Sequence, residues 1–151
     1  MADFDPGVRD AGSVQSGPRA SFGIRLVAAI IDGILLGVVG TIIRVIVGDV
    51  VGSALNLLLG LAYYAYLEGS PSGQTVGKRA MSIRVIDFAG GGPIGPGRAL
   101  IRYIGRIVSA IPCLLGYFWM LWDPEKQTWH DKFATTVVVP TSAYPVAEWP
   151  G

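Results

Sequence analysis

The run from Arg25 to Val47, RLVAAIIDGILLGVVGTIIRVIV, decides how the rest of the chain is read. A helix across the hydrocarbon core of a bilayer takes about 20 predominantly apolar residues, and this run supplies them. Yet Arg25, Asp32 and Arg44 stand inside it. Arg25 lies at one end, where its aliphatic stem can carry the guanidinium out to the headgroups. Asp32 comes seven positions later, which is about 700° of helix, so the two side chains share a face some ~10 Å apart along the axis. An ionised carboxylate at that depth costs on the order of 2.5–3.5 kcal/mol on insertion scales. Asp32 therefore needs a cation, a water cavity or a proton. Two readings stay open: a proton or cation site, and a structural pair with an arginine elsewhere in the fold.

Outward from this run the hydrophobic pattern continues. Val50 to Leu67 is uncharged, with one amide, Asn56, and the Gly48-Asp49 link makes the two runs a tight antiparallel hairpin. Ala29, Gly33 and Gly37 are spaced by four along the first run. That small-residue face lets helix backbones approach closely, and we expect it to pack against the second run, a seam between copies being the alternative. A third run, Ile107 to Trp122, contains Pro112 and is short for a crossing. Hydrophobic residues make up 51% of the 151 and charged residues 15%, against about 25% charged in a soluble domain. The bilayer is thus the expected surrounding.

The segment Glu68 to Arg106 carries Lys78, Arg79, Arg84, Arg98, Arg102 and Arg106 against only Glu68 and Asp87. The positive-inside rule places it in the cytoplasm, and two crossings before it place the N-terminus there as well. Within it, MSIRVIDFAGGGP (81–93) alternates apolar and polar residues and then turns, which reads as a strand. TTVVVP (135–140) reads as a second strand ended by proline. If the two strands pair, the third run dips in and returns at Pro112; otherwise it crosses, and its aromatic end, Tyr117, Phe118, Trp119 and Trp122, tilts the reading toward a full crossing. Arg98, Arg102 and Arg106 form one helical stripe opposite Leu100, Ile101, Ile104 and Ile107. We expect an amphipathic surface helix whose arginines meet anionic lipid headgroups, or one of which turns inward to Asp32 or Asp131.

Other chemistry finds little support. The formal net charge of +1 and the lack of a basic domain argue against nucleic acid. Cys113 is the sole cysteine and sits in an apolar run, where a thiol is a small hydrophobe. GQTVGKR (73–79) has three residues between its glycines and Arg79 after Lys78, so it is not a phosphate loop. It reads as a turn with topogenic charge. In WDPEKQTWHDK (122–132), Asp123-Pro124 ends the third run, and His130 and Asp131 adjoin with no nucleophile at a recognisable spacing. His130 is a candidate charge partner, and one histidine is too few for a zinc site. The chain is expected to be neither an enzyme nor a cofactor protein. Asp131 is expected to cap or anchor a short turn. Residues 1–20 read as a disordered polar tail without a secretion signal, 21–140 as the membrane domain and 141–151 as a C-terminal tail.

An arginine opening the first membrane helix, an aspartate in its middle and a second aspartate in a C-terminal HDK segment resemble the RDD family of bacterial membrane proteins. Arg25, Asp32 and Asp131 hold the three naming positions. GQTVGKRAMSIRVID (73–87), RALIRYIGRIVSAIP (98–112) and QTWHDKFATTVVV (127–139) support the match, which covers about residues 20 to 140. The resemblance implies a multi-pass protein of the bacterial inner membrane. The fold class expected is all-α: a helical hairpin, a third Pro-containing membrane helix, crossing or re-entrant, a basic amphipathic helix and short cytoplasmic strands. Some members of the family behave as sodium/proton antiporters. That suggests cation/proton exchange by an oligomer, with Asp32 binding the ion and Arg25 and Asp131 tuning it. The alternative is an accessory or assembly subunit of a larger membrane complex.

Overall fold

The computed structural model describes residues 18–110, 115–146 and 149. The polar tail over residues 1–17, and Pro112 and Cys113, lie outside the described residues. Helix α1 spans Phe22–Val47 and α2 spans Asp49–Glu68. Their 26 and 20 residues give about 39 Å and 30 Å of helix, enough to cross a hydrocarbon core of about 30 Å. Ser21 caps α1 by accepting from the Ile24 amide. Gly48, at φ 88°, supplies the positive φ that a side chain resists, and the hairpin reverses there.

The seam of this hairpin is not the one expected from the small residues. On α1 the buried positions are Ala28, Asp32 and Gly40, one residue away from the Ala29-Gly33-Gly37 series. Asn56 packs on Gly40 and donates to its carbonyl at 3.1 Å, while Gly52 rides against the Arg44 backbone. Gly33 and Gly37 have nothing within 4 Å of where a Cβ would stand. The physical reason is Asp32: burying a carboxylate inside protein rather than in lipid turns its face of the helix, some 100° from that of Gly33, toward the neighbouring elements. The remaining faces of both helices are apolar and exposed, with Ile34, Val45, Val50 and Leu58 all more than half accessible. An apolar surface of this extent is matched by lipid rather than water.

A small cap follows the hairpin. It contains helix α3 (Val76–Ala80), strand β1 (Ile83–Asp87), helix α4 (Gly95–Ala110), the short helix α5 (Leu115–Phe118) with a 3-10 turn at Trp119–Leu121, helix α6 (Trp129–Ala134) and strand β2 (Thr136–Pro140). The strands pair antiparallel, with Ile83 opposite Pro140 and Asp87 opposite Thr136. Ile83, Val85 and Val138 pack with Ala20, Ala28, Ile94 and Ala99 on one face, and Ile86, Val137 and Val139 with Phe88 and Tyr144 on the other. Ala20 donates to the Val138 carbonyl at 2.9 Å, and the Trp149 indole donates to the Gln74 carbonyl at 3.1 Å.

This pairing corrects the inclination toward a third complete crossing. Ladder partners stand side by side, so the chain between Asp87 and Thr136 returns to where it left, which a single crossing does not allow. Of the described helices, only α1 and α2 are long and apolar enough to cross a membrane. The orientation of α4 is inverted relative to the headgroup-facing expectation and follows its alternative, in which an arginine of the stripe turns inward to Asp131. Its Arg102 is fully buried, whereas Ile101, Ile104 and Ile107 are 45 to 53% exposed. The arginine stripe faces the protein because carboxylates wait there, and the isoleucines face outward.

Candidate functional site

Four cations converge on two carboxylates where the hairpin meets the cap. Arg25 reaches from α1 to Asp131 Oδ2 on α6 at 2.8 Å and donates to the Lys126 carbonyl at 3.1 Å. Arg102 binds Asp131 Oδ1 and places its Nε 2.9 Å from Glu68 Oε2 at the end of α2. Glu68 Oε1 accepts from Lys78 Nζ at 2.8 Å and from Arg106, whose guanidinium lies 4.0 Å from the Tyr64 ring centroid. Glu68, Arg102 and Asp131 have no exposed surface. Through Asp131 the network ties α1 and α4 to α6, and through Glu68 it ties α3 and α4 to α2, so the contacts link all five helices. Arg25 thus does not snorkel outward, and Lys78 is not an exposed topogenic charge; both are drawn in by acids that would otherwise be buried without partners.

Asp131 also serves its own helix. It forms a capping box with Thr128, accepting from the Thr128 amide at 3.0 Å. Burial opposes its ionisation, but Arg25 and Arg102 outweigh burial and hold its carboxyl well below the usual carboxylate range. Burial pushes the adjacent His130 well below the usual imidazole range, so this ring is neutral and is not a charge partner. Its Nε2 lies 3.0 Å from Thr128 Oγ1, and its Nδ1 is buried without a hydrogen-bond partner. Burial likewise lowers the pKa of Lys78, against the pull of Glu68. Arg98 stands apart from this cluster. It bridges Asp87 and the Ala134 carbonyl, both at 2.9 Å, and so fastens α4 to β1 and α6.

Asp32 is satisfied differently, without any cation. Its Oδ1 accepts from the Tyr63 hydroxyl at 2.6 Å and the Gly77 amide at 2.8 Å, and its Oδ2 from the Thr75 hydroxyl at 2.6 Å. Tyr63 accepts in turn from the Val76 amide at 3.1 Å. Asp32 is 1% exposed. The carboxylate is a clip that holds the start of α3 against the middle of α1. Gly77 makes the clip fit, because a Cβ there would run into the Ala28 carbonyl and the Asp32 carboxyl carbon. The arginine partner expected for a structural Asp32 is absent among the described residues, and three neutral donors take its place.

Residue reasoning overlooked Thr75 and Tyr63, and counted Glu68 and Lys78 only as charges. A usable signal existed for Glu68: Arg102 and Arg106 share a helical face, and a buried stripe of that kind demands an acid. Thr75 shows the pattern of an N-cap before VGKRA, which points to the turn but not to Asp32.

Beside the charge network lies a cavity of about 300 Å³. Arg25, Lys78, Arg106 and His130 line it, together with apolar walls from Leu26 and Phe118. Ala29, expected at the hairpin seam, also lines this cavity. Among the described residues no cluster of His, Cys, Asp or Glu is placed to hold a metal ion.

Comparison with known proteins agrees with the charge pattern. The chain is 40% identical over 77 residues, 51% of its own length, to a proline-rich antigen of Mycobacterium leprae. It is 37% identical over 99 residues, 61% of its length, to a proline-rich antigen homolog of Mycobacterium tuberculosis. The matches span only 30% and 41% of those two relatives. No solved structure matches the chain. Residues 19–135 match the RDD family, so Arg25, Asp32 and Asp131 all fall inside the matched region and the chain belongs to that family.

Proposed function

We propose that this chain is a two-crossing membrane module that presents a rigid cytoplasmic cap to a larger membrane assembly, with the family charges acting as the fastenings of that cap. The observation that carries this reading is the occupancy of the two aspartates. Asp32 already accepts three short hydrogen bonds from within the protein, and Asp131 is shared between Arg25 and Arg102. Both are spent on architecture. The exposed Gly33–Gly37 face leaves room for a further helix to approach closely. The mycobacterial relatives are longer than the matched stretch, in keeping with a module carried alongside other segments. In this reading the cap and N-terminus face the cytoplasm, as the excess of Lys and Arg in 68–106 favours.

Cation/proton exchange, the rival reading, has less support, since Asp32 does not line the cavity beside the network. Two measurements separate them. Extraction from native membranes in mild detergent, followed by mass spectrometry, should recover a stoichiometric partner; recovery solely as self-associated chain counts against the module. In proteoliposomes, a pH gradient should drive no sodium flux beyond that of empty vesicles. A flux that Asp32→Asn abolishes would establish the exchanger.

A further inference from the structure

The charge network is unbalanced. Arg25, Lys78, Arg102 and Arg106 surround Glu68 and Asp131, which leaves the buried cluster two positive charges in excess, or one if Asp32 is included. A buried excess charge is costly unless something compensates it. Three of these cations, Arg25, Lys78 and Arg106, line the cavity of about 300 Å³.

A second observation points into the same space. His130 is 2% exposed, lines the cavity and leaves Nδ1 without a partner. Thr128 Oγ1 already accepts from the Asp131 amide, so its hydroxyl hydrogen is free to go to His130 Nε2 at 3.0 Å. Of the two ring tautomers, the one in which Thr128 donates leaves a hydrogen on Nδ1, a buried donor that an anion in the cavity would satisfy. The rest of the lining combines apolar walls from Phe22, Leu26, Phe118 and Met120 with the side chains of Tyr64, Tyr117 and Thr128. Beside them Leu121 and Trp122 are 58% and 65% exposed, and the outward face of α1 continues the apolar surface. A cationic end, an orphaned donor and apolar walls that run out onto a lipid-facing helix are complementary to one class of molecule.

We propose that this cavity binds the phosphate of an anionic membrane phospholipid, with Arg25, Lys78, Arg106 and His130 around the headgroup and an acyl chain along α1 beside Leu26 and Ala29. The proposal rests on the hairpin being embedded in the bilayer, as the module reading holds, but not on any assembly partner.

The test uses the full chain in neutral detergent micelles doped with phosphatidylglycerol or phosphatidylcholine, or supplied with inorganic phosphate instead. Native mass spectrometry should show one phosphatidylglycerol retained per chain and no retained phosphatidylcholine, and thermal unfolding should rise with phosphatidylglycerol alone. Ala29→Phe places a ring in the cavity from a helix position that is otherwise exposed. His130→Gln alters the orphaned donor. Each should weaken retention by about tenfold or more, His130→Gln through the hydrogen bond it disturbs and Ala29→Phe by occupying the space of the acyl chain. Equal retention of the two lipids overturns the proposal, as does undiminished binding in both variants. Equal stabilisation by inorganic phosphate overturns the lipid assignment in favour of a free anion. Extraction of the folded chain without detergent would instead defeat the membrane reading beneath it.

Discussion

Replacing Asp131 with asparagine tests whether the network fastens the cap. The amide keeps an oxygen for the Thr128 backbone N–H, so the capping box of α6 loses little. What disappears is the anion between Arg25, at 2.8 Å, and Arg102. Arg102 keeps Glu68 at 2.9 Å, but among the described residues Arg25 keeps only the Lys126 carbonyl at 3.1 Å, and its side chain is 11% exposed. Removing one partner of a buried pair costs about 3–5 kcal/mol, because the other charge stays buried. Equilibrium unfolding in micelles, followed by tryptophan fluorescence, measures this directly, since Trp129 opens α6. Adding Arg25→Gln to Asp131→Asn removes the stranded charge. The double variant should then be more stable than the sum of the single losses predicts, by about 0.5–3 kcal/mol, the coupling of residues in contact. A loss below about 1 kcal/mol for Asp131→Asn, or strict additivity in the cycle, would refute the fastening argument.

Further outcomes follow from the same contacts. His130 is buried neutral, with its pKa lowered in the folded state. The unfolded chain therefore binds the extra proton first as pH falls below about 6.5. Stability should drop on acidification with a slope approaching 1.4 kcal/mol per pH unit, about one proton's worth, and His130→Gln should flatten that slope in a pH series of unfolding curves. Asp131 acts in a lower window. Its depressed pKa contributes stability that is fully present above the ordinary carboxylate value and is lost as pH falls beneath it, so Asp131→Asn should leave the slope near pH 6 unchanged. Gly77→Ala should destabilise by about 1–3 kcal/mol through overpacking and expose the α3 loop to protease, whereas Gly33→Ala, with open space around it, should stay within about 0.5 kcal/mol. With Cys113 replaced by serine, single cysteines at Ala89 and Ser142 should label from the same side of sealed vesicles; labelling from opposite sides would restore a third crossing.

The hairpin was legible because its signal is long and simple: two apolar runs joined by Gly48-Asp49. The first strand was legible from alternation and the second as a run stopped by proline, although whether they pair was not, since pairing joins residues 49 to 57 positions apart. Helical periodicity put Arg98, Arg102 and Arg106 on one stripe, but it could not say which way the stripe faces. That depends on where Glu68 and Asp131 end up, which is tertiary information. The same limit explains the misread seam of α1. Ala29, Gly33 and Gly37 offered a smooth surface one residue away from the face that Asp32 obliges the helix to bury. The family pattern marked Arg25, Asp32 and Asp131 together, yet the structure divides them into a salt-bridge network and a separate hydrogen-bonded clip. Spacing carries no sign of that division, because the donors to Asp32 are Thr75, Tyr63 and a backbone amide.

The placement of Asp131 also sets an order of events during synthesis. Arg25, Glu68, Lys78, Arg102 and Arg106 all leave the ribosome before it. Both hydrophobic helices can be delivered to the bilayer while the cationic cluster has only Glu68 to neutralise it. The network closes only when the HDK segment emerges and β2 zips onto β1. A chain interrupted anywhere between residues 106 and 131 would thus be inserted but unlatched, with guanidinium groups held open at the membrane surface. The fastening that is made last therefore sets the moment at which the cap can close on the hairpin.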